Sequence, residues 1–151
     1  MNTFARWGLA VVAAAGLVVD AYTHLHLAHL YVFNRTSTVS EAVLFRVEAG
    51  IAIAAAVWLL VRPTVLSAGF AVLVAGGGAA LLLIYRYVNV GKIGPVPNMY
   101  DPEWFAEKNW SLAGELVATV AALALFGVAL LGRHRGRSKA GSVLGAVPRT
   151  F

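Results

Sequence analysis

Cysteine is absent from this chain, which excludes a disulfide framework and any thiol redox cycle within it, and leaves the compartment unmarked by redox chemistry. Charge is scarce as well. Only 13% of the 151 residues are charged against 60% hydrophobic, with a mean hydropathy of +0.75, where a soluble domain carries about 25% charged and roughly 45–50% apolar residues. A phosphate loop is also missing, because Gly76-Gly77-Gly78 is not followed by Lys-Ser or Lys-Thr. Those glycines read instead as places where membrane helices approach closely. No internal repeat is present.

The apolar residues fall into four blocks, Trp7–Leu30, Ala42–Val61, Val65–Val88 and Ser111–Leu131. Each reaches the ~20 residues that cross hydrocarbon at 1.5 Å per residue. Backbone polar groups inside a bilayer must pair internally, so the expected fold is an all-α, integral membrane four-helix bundle. Residues 133–151 form a basic, Gly- and Ser-containing tail, expected to be disordered.

The net charge of +5 sits in that tail, in Arg133, Arg135, Arg137, Lys139 and Arg149, while residues 1–132 balance seven basic against seven acidic groups. Basic residues beside a span favour the cytoplasmic side. Four crossings return Arg6 and the Arg62-Pro63 turn to that same side, so the chain is expected in the cell membrane with both termini cytoplasmic. The lipid bilayer is its first partner, and nucleic acid is not expected to be one. Arg6, the apolar run after it and Ala13-Ala14-Ala15 also have the outline of a cleavable signal peptide, although the apolar pattern continues through Leu30.

Against this background the stretch Asp20-Ala-Tyr-Thr-His24-Leu-His26-Leu-Ala-His29 stands out. Asp20 lies fourteen residues beyond Arg6, roughly 21 Å along an ideal helix. Glu48 lies fourteen residues before Arg62, which gives a matching depth of roughly 21 Å, and Glu115 is eighteen residues from Arg133, roughly 27 Å up and close to the level of His24. Arg86 closes the third span at the outer interface. An isolated charge in hydrocarbon costs about 2.5–3.5 kcal/mol, so Asp20, His24, Glu48, Arg86 and Glu115 are expected to gather inside the bundle as ligands or proton carriers. On a helical wheel Asp20, His24 and Tyr31 share a face, with Tyr22, His26 and His29 nearly opposite. Ser111, Glu115 and Thr119 share another, and Arg46 points away from Glu48. Residues 89–109 form a Gly- and Pro-rich outer loop in which Asp101–Lys108 reads as a short interfacial helix.

Several readings of the cluster stand open. Histidine with carboxylates suits a transition metal, with His24, Glu48, Asp20 and Glu115 as ligands. The same groups suit acid-base or redox work on a lipid-soluble substrate such as a quinone or an isoprenoid. A third reading is a polar clasp in which Arg86 pairs with Glu48 or Glu115 and sets helix register. A fourth is an accessory subunit that packs against a larger membrane enzyme or against its own copies. His26 and His29 read as hydrated interfacial residues.

At Arg46-Val-Glu48-Ala-Gly50, followed by an unbroken apolar helix, and again over Ser111–Leu131, the chain resembles the DoxX-like group of small four-span bacterial membrane proteins. The resemblance implies an accessory role in a membrane redox or thiol-stress system, in some members as the subunit of a quinone-reducing enzyme. The His24, His26, His29 cluster departs from that pattern. Overall the sequence is read as an accessory membrane component whose polar cluster binds a metal or quinone-like ligand; the alternative is a membrane enzyme acting on a lipid-soluble substrate.

Overall fold

The second and third helices begin or end where a side chain or a proline provides for it. The computed structural model describes residues 3–144, with side chains to 132, as four helices: α1 (Thr3–Leu27), α2 (Glu41–Val61), α3 (Val65–Tyr87) and α4 (Ala106–Leu144). Ser40 caps α2, its hydroxyl accepting from the Val43 amide. The residue before a proline is forced out of helical geometry, and α2 accordingly stops at Arg62, one residue ahead of Pro63. Thr64 and Ser67 then form a reciprocal capping box that starts α3, and Ser67 Oγ donates back to the Arg62 carbonyl at 2.7 Å. Three residues therefore suffice to reverse the chain.

All four helices are long and apolar enough to cross a membrane, α4 over Ala106–Gly132. The expected block boundaries hold to within a few residues. α1 gives way to turns at Ala28, and α4 starts five residues before Ser111, so Ala106–Asn109 is its first turn and not part of a separate interfacial helix. The basic segment expected to be disordered continues as helix to Leu144, and residues 145–151 lie outside the described part.

The helices stand in ring order, α1 against α2 and α4, and α3 against α4. α1 and α3 face each other across one diagonal, and α2 and α3 touch least of the neighbouring pairs. Arg6 donates to the Pro63 carbonyl, and residues 128–132 of α4 border the same pocket as Arg6 and that turn, which marks the turn end of the bundle. The segments 28–40 and 88–105 lie at the opposite, loop end.

Alanine dominates the interior. Ala10, Ala13 and Ala14 of α1, Ala52, Ala55 and Ala56 of α2, Ala68, Ala71 and Ala75 of α3, and Ala118, Ala121 and Ala122 of α4 are buried around Leu17, Leu59 and Leu125. Their three- and four-residue spacing puts one small-residue stripe on each helix, the pattern that lets apolar helices pack through close backbone approach. The closest approach joins α1 to α4. A Cβ built on Gly16 would meet the Gly114 carbonyl oxygen at 2.5 Å, and one on Gly114 would meet the Gly16 oxygen at 2.7 Å. The opposite faces carry exposed Val11, Val18, Ile51, Val57, Leu73 and Val120, an apolar exterior suited to lipid.

Candidate functional site

Beyond the Gly16–Gly114 contact, towards the loops, the helices border a half-open chamber of about 370 Å³, lined from all four helices and from the loop 88–105. That is the size range of small-molecule sites, ~300–1,000 Å³. His24, Glu48, Arg86 and Glu115 all line it, and Asp20 sits behind His24. Four of the five residues grouped by counting along helices therefore line one chamber, and Asp20 reaches it through His24.

Asp20 anchors the α1 side. It is fully buried, and its Oδ1 accepts from Ser111 Oγ of α4 at 2.6 Å and lies 3.0 Å from His24 Nδ1. His24 Nδ1 also lies 3.1 Å from the Asp20 carbonyl oxygen, and Thr23 Oγ1 donates to that oxygen at 2.8 Å. With Nδ1–H directed at Asp20, the neutral ring carries its free lone pair on Nε2. The ring also meets Phe45 edge-on, with centroids 5.1 Å apart.

Across the chamber two carboxylates converge on Gly78. A Cβ on that glycine would collide with Glu115 Oε1 and come within 3.5 Å of Glu48 Oε1, so the missing side chain is what makes room for them. Glu115 is 1% exposed, and its Oε2 has no hydrogen-bond partner. Asp20 Oδ2, Thr119 Oγ1 and Arg86 Nε are likewise buried and unpartnered.

The expected pairing of Arg86 with a carboxylate does not occur among the described residues. Its guanidinium instead stacks against Tyr87 and Trp104, 5.1 and 5.3 Å from their ring centroids. An arginine eight residues beyond Gly78 stands about 12 Å further along α3, which carries it to the lid rather than to Glu48 or Glu115. The clasp therefore has no cation at its centre.

No family model, curated protein or solved structure matches this chain. The site must be interpreted from its own chemistry.

Among the described residues no group of three or more His, Asp or Glu is placed to hold a metal ion. His24 Nδ1 and Asp20 Oδ1 are already bound to each other, and Ser111 takes the same oxygen, so His24, Asp20, Glu48 and Glu115 do not form the coordination set expected for them. His26 and His29 are exposed, with ring centroids 6.0 Å apart, on the face away from the chamber. That matches the wheel. Arg46 is exposed too.

The side-chain bonds that hold the loop 88–105 over the chamber were not anticipated from the sequence. Tyr31 Oη donates to Asp101 Oδ2 at 3.0 Å, and Lys108 Nζ lies 2.8 Å from the same oxygen while donating to the carbonyls of Asp101 and Glu103. The Asp101 amide donates to the Tyr85 carbonyl at the end of α3. Burial opposes ionisation of Asp101, but Lys108 and Tyr31 outweigh it and hold the carboxyl below its ordinary value of 3.8. Burial, then the Asp101 hydrogen bond, push the Tyr31 phenol above its ordinary 10.0. A second tie runs through Asn34, which donates to Glu41 Oε2 and to the Asn98 carbonyl, while Thr36 Oγ1 donates to the Pro95 carbonyl. These partners lie up to 70 residues apart in sequence, so no local spacing announces them. The lid turns at Gly94, whose φ of +55° suits glycine.

Proposed function

We propose that the protein is a multi-pass component of the cell membrane, both termini cytoplasmic, that takes a small lipid-soluble molecule with a polar head group into the loop-end chamber. Its context is the accessory role in a bacterial membrane redox or stress system that the DoxX-like resemblance implies, and a quinone or an isoprenoid is the class of ligand envisaged. One observation carries the reading: His24, Glu48 and Glu115 line one chamber together with a run of apolar side chains, including Leu27, Leu44, Phe45, Leu81 and Leu82, while Glu41, Arg86, Asp101 and Lys108 line its loop end. Such a cavity suits a molecule with an apolar body and a polar tip. The thin contact between α2 and α3 supports access from the side, directly from lipid. Basic residues near the turn end, Arg6 and Arg62, support the orientation.

The test is to extract the protein, purified in mild detergent from a bacterial host, and identify co-purifying small molecules by mass spectrometry. Leu82→Trp, which fills the chamber, is the comparison. A near-stoichiometric lipid-soluble molecule that Leu82→Trp loses is the expected result. Identical extracts from the two proteins would remove the proposal.

A second reading has one observation in its favour, the Asp20-oriented His24 ring facing the chamber. A carboxylate that fixes Nδ1–H leaves Nε2 free to take or return a proton. In that case the protein is an enzyme acting on the same bound molecule, and His24→Gln keeps the ligand but loses turnover.

A further inference from the structure

The chamber contains an imbalance that the ligand must resolve. Its charged groups fall into sets, most of them already matched. Lys108 is held by Asp101, Glu41 takes the Asn34 amide, and His24 is joined to Asp20. Arg86 is stacked on two rings at the lid. Glu48 and Glu115 remain, coming from different helices to one glycine, with no cation between them among the described residues. Two carboxylates at one point repel when both are ionised, and a buried oxygen without a donor carries a desolvation cost of about 1–3 kcal/mol, more when charged. Glu115 Oε2 is such an oxygen, buried and on the chamber wall.

We infer that the chamber is built for a lipid-soluble amine whose protonated nitrogen sits between Glu48 and Glu115, with its apolar body along α2 and α3. An ammonium supplies both missing things at once. Its charge offsets the carboxylates and its N–H groups reach the unpartnered Glu115 Oε2 and the Glu48 carboxylate, the charge-assisted type of hydrogen bond that is roughly twice as strong as a neutral one. A neutral carbonyl head, as in a quinone, brings acceptors to a place that already has too many. The surroundings also suit a cation: Phe45 lines the same chamber and packs on Tyr31 with ring centroids 5.1 Å apart, and aromatic faces attract positive charge. Gly78 is the positioning element, because any side chain there would displace Glu115 into the space the nitrogen occupies.

This inference rests on the reading of the chamber as a site for a lipid-soluble ligand, and the experiment separates the two. Three probes are titrated into wild-type protein in detergent, following tryptophan fluorescence and correcting for partition into micelles: 4-phenylbutylamine, its carbon isostere pentylbenzene, and a quinone with a single isoprene unit. The amine is expected to bind at least about tenfold more tightly than the isostere. Glu115→Gln and Glu48→Gln should each remove most of that preference without lowering the melting temperature. Equal affinity for amine and isostere overturns the inference, as does a preference that both variants keep. Binding of the quinone but not the amine overturns it while leaving the broader ligand reading in place, and binding of none of the three overturns both. If Glu115→Gln does not fold, the wild-type probes and the half-buried Glu48 still decide the matter.

Discussion

Two seams of the bundle are built on opposite plans. Between α1 and α4 the backbones touch at Gly16 and Gly114, and a buried hydrogen bond from Ser111 to Asp20 crosses just above that contact. Between α2 and α3 the contact is the thinnest of any neighbouring pair, and the chamber lies along it. Glycine appears on both sides of this contrast with different consequences. At Gly16 the absent side chain lets two helices close; at Gly78 it leaves space that two carboxylates fill. A small residue is thus an instrument for proximity or for volume, depending on whether a backbone or a side chain faces it.

The sharpest way to break the contrast is to force the tight seam apart. Gly16→Val should cost about 3 kcal/mol, the upper part of the range for overpacking, because its Cβ meets main-chain atoms that cannot rotate away. Gly77→Val, where nothing lies within 4 Å, is the matched control. Unfolding in mixed micelles measures both, and equal stabilities would mean that the α1–α4 contact is not a fixed one.

Removing the polar part of the same seam comes next. Asp20→Ala leaves Ser111 without its acceptor and the His24 ring nitrogen with only the residue-20 carbonyl, at a cost of about 1–3 kcal/mol. It should also free the ring to reorient, visible as a changed His24 environment in nuclear magnetic resonance. Retention of full stability would show that the two helices hold without this bond.

The smallest effect concerns the roof over the loose seam. Asp101→Asn should alter global stability by less than about 1 kcal/mol, because the ion pair with Lys108 is partly solvated and ties a loop rather than the helices to one another. It should nevertheless speed hydrogen exchange across 89–105. The pH dependence follows from the two shifted groups. The carboxyl of Asp101 is held below 3.8, so its contribution is complete above 3.8 and is lost as the pH falls through the lower folded value. The Tyr31 phenol is held above 10.0, so its contribution is complete below 10.0 and disappears as the pH rises through the higher folded value. Protection of the lid amides relative to their intrinsic exchange rates should therefore be greatest across the intervening range, and a profile that varies in step with the whole bundle would deny the lid any separate behaviour.

Much of this was legible without coordinates, for physical reasons that also mark where legibility stops. A helix rises a fixed distance per residue, so the matching depth of Asp20 and Glu48, and that of Glu115 and His24, could be counted from Arg6, Arg62 and Arg133. A helix also has a fixed turn, so Asp20 and His24 could be set on one face and His26 and His29 on the other. Neither rule says which neighbour a residue meets. Ser111 was correctly grouped with Glu115 and Thr119, but its bond to Asp20 depends on how α1 and α4 rotate against each other. Arg86 was expected to seek a carboxylate; Trp104, eighteen residues further on in an irregular loop, offers it a ring instead. The lid latch joins residues 31, 101 and 108, and loop geometry of that kind leaves no periodic trace.

The short reversal at residues 62–64 gives the loose seam a mechanical character. α2 and α3 are riveted to each other at that point by the Thr64–Ser67 box and the Ser67 bond to Arg62, yet they touch little along their length. Two stiff rods joined at one end and slack elsewhere make a pair of tongs. For a given angular spread the displacement is negligible at the joint and greatest at the jaws, and it is at the jaws that Glu48 and Gly78 border the chamber.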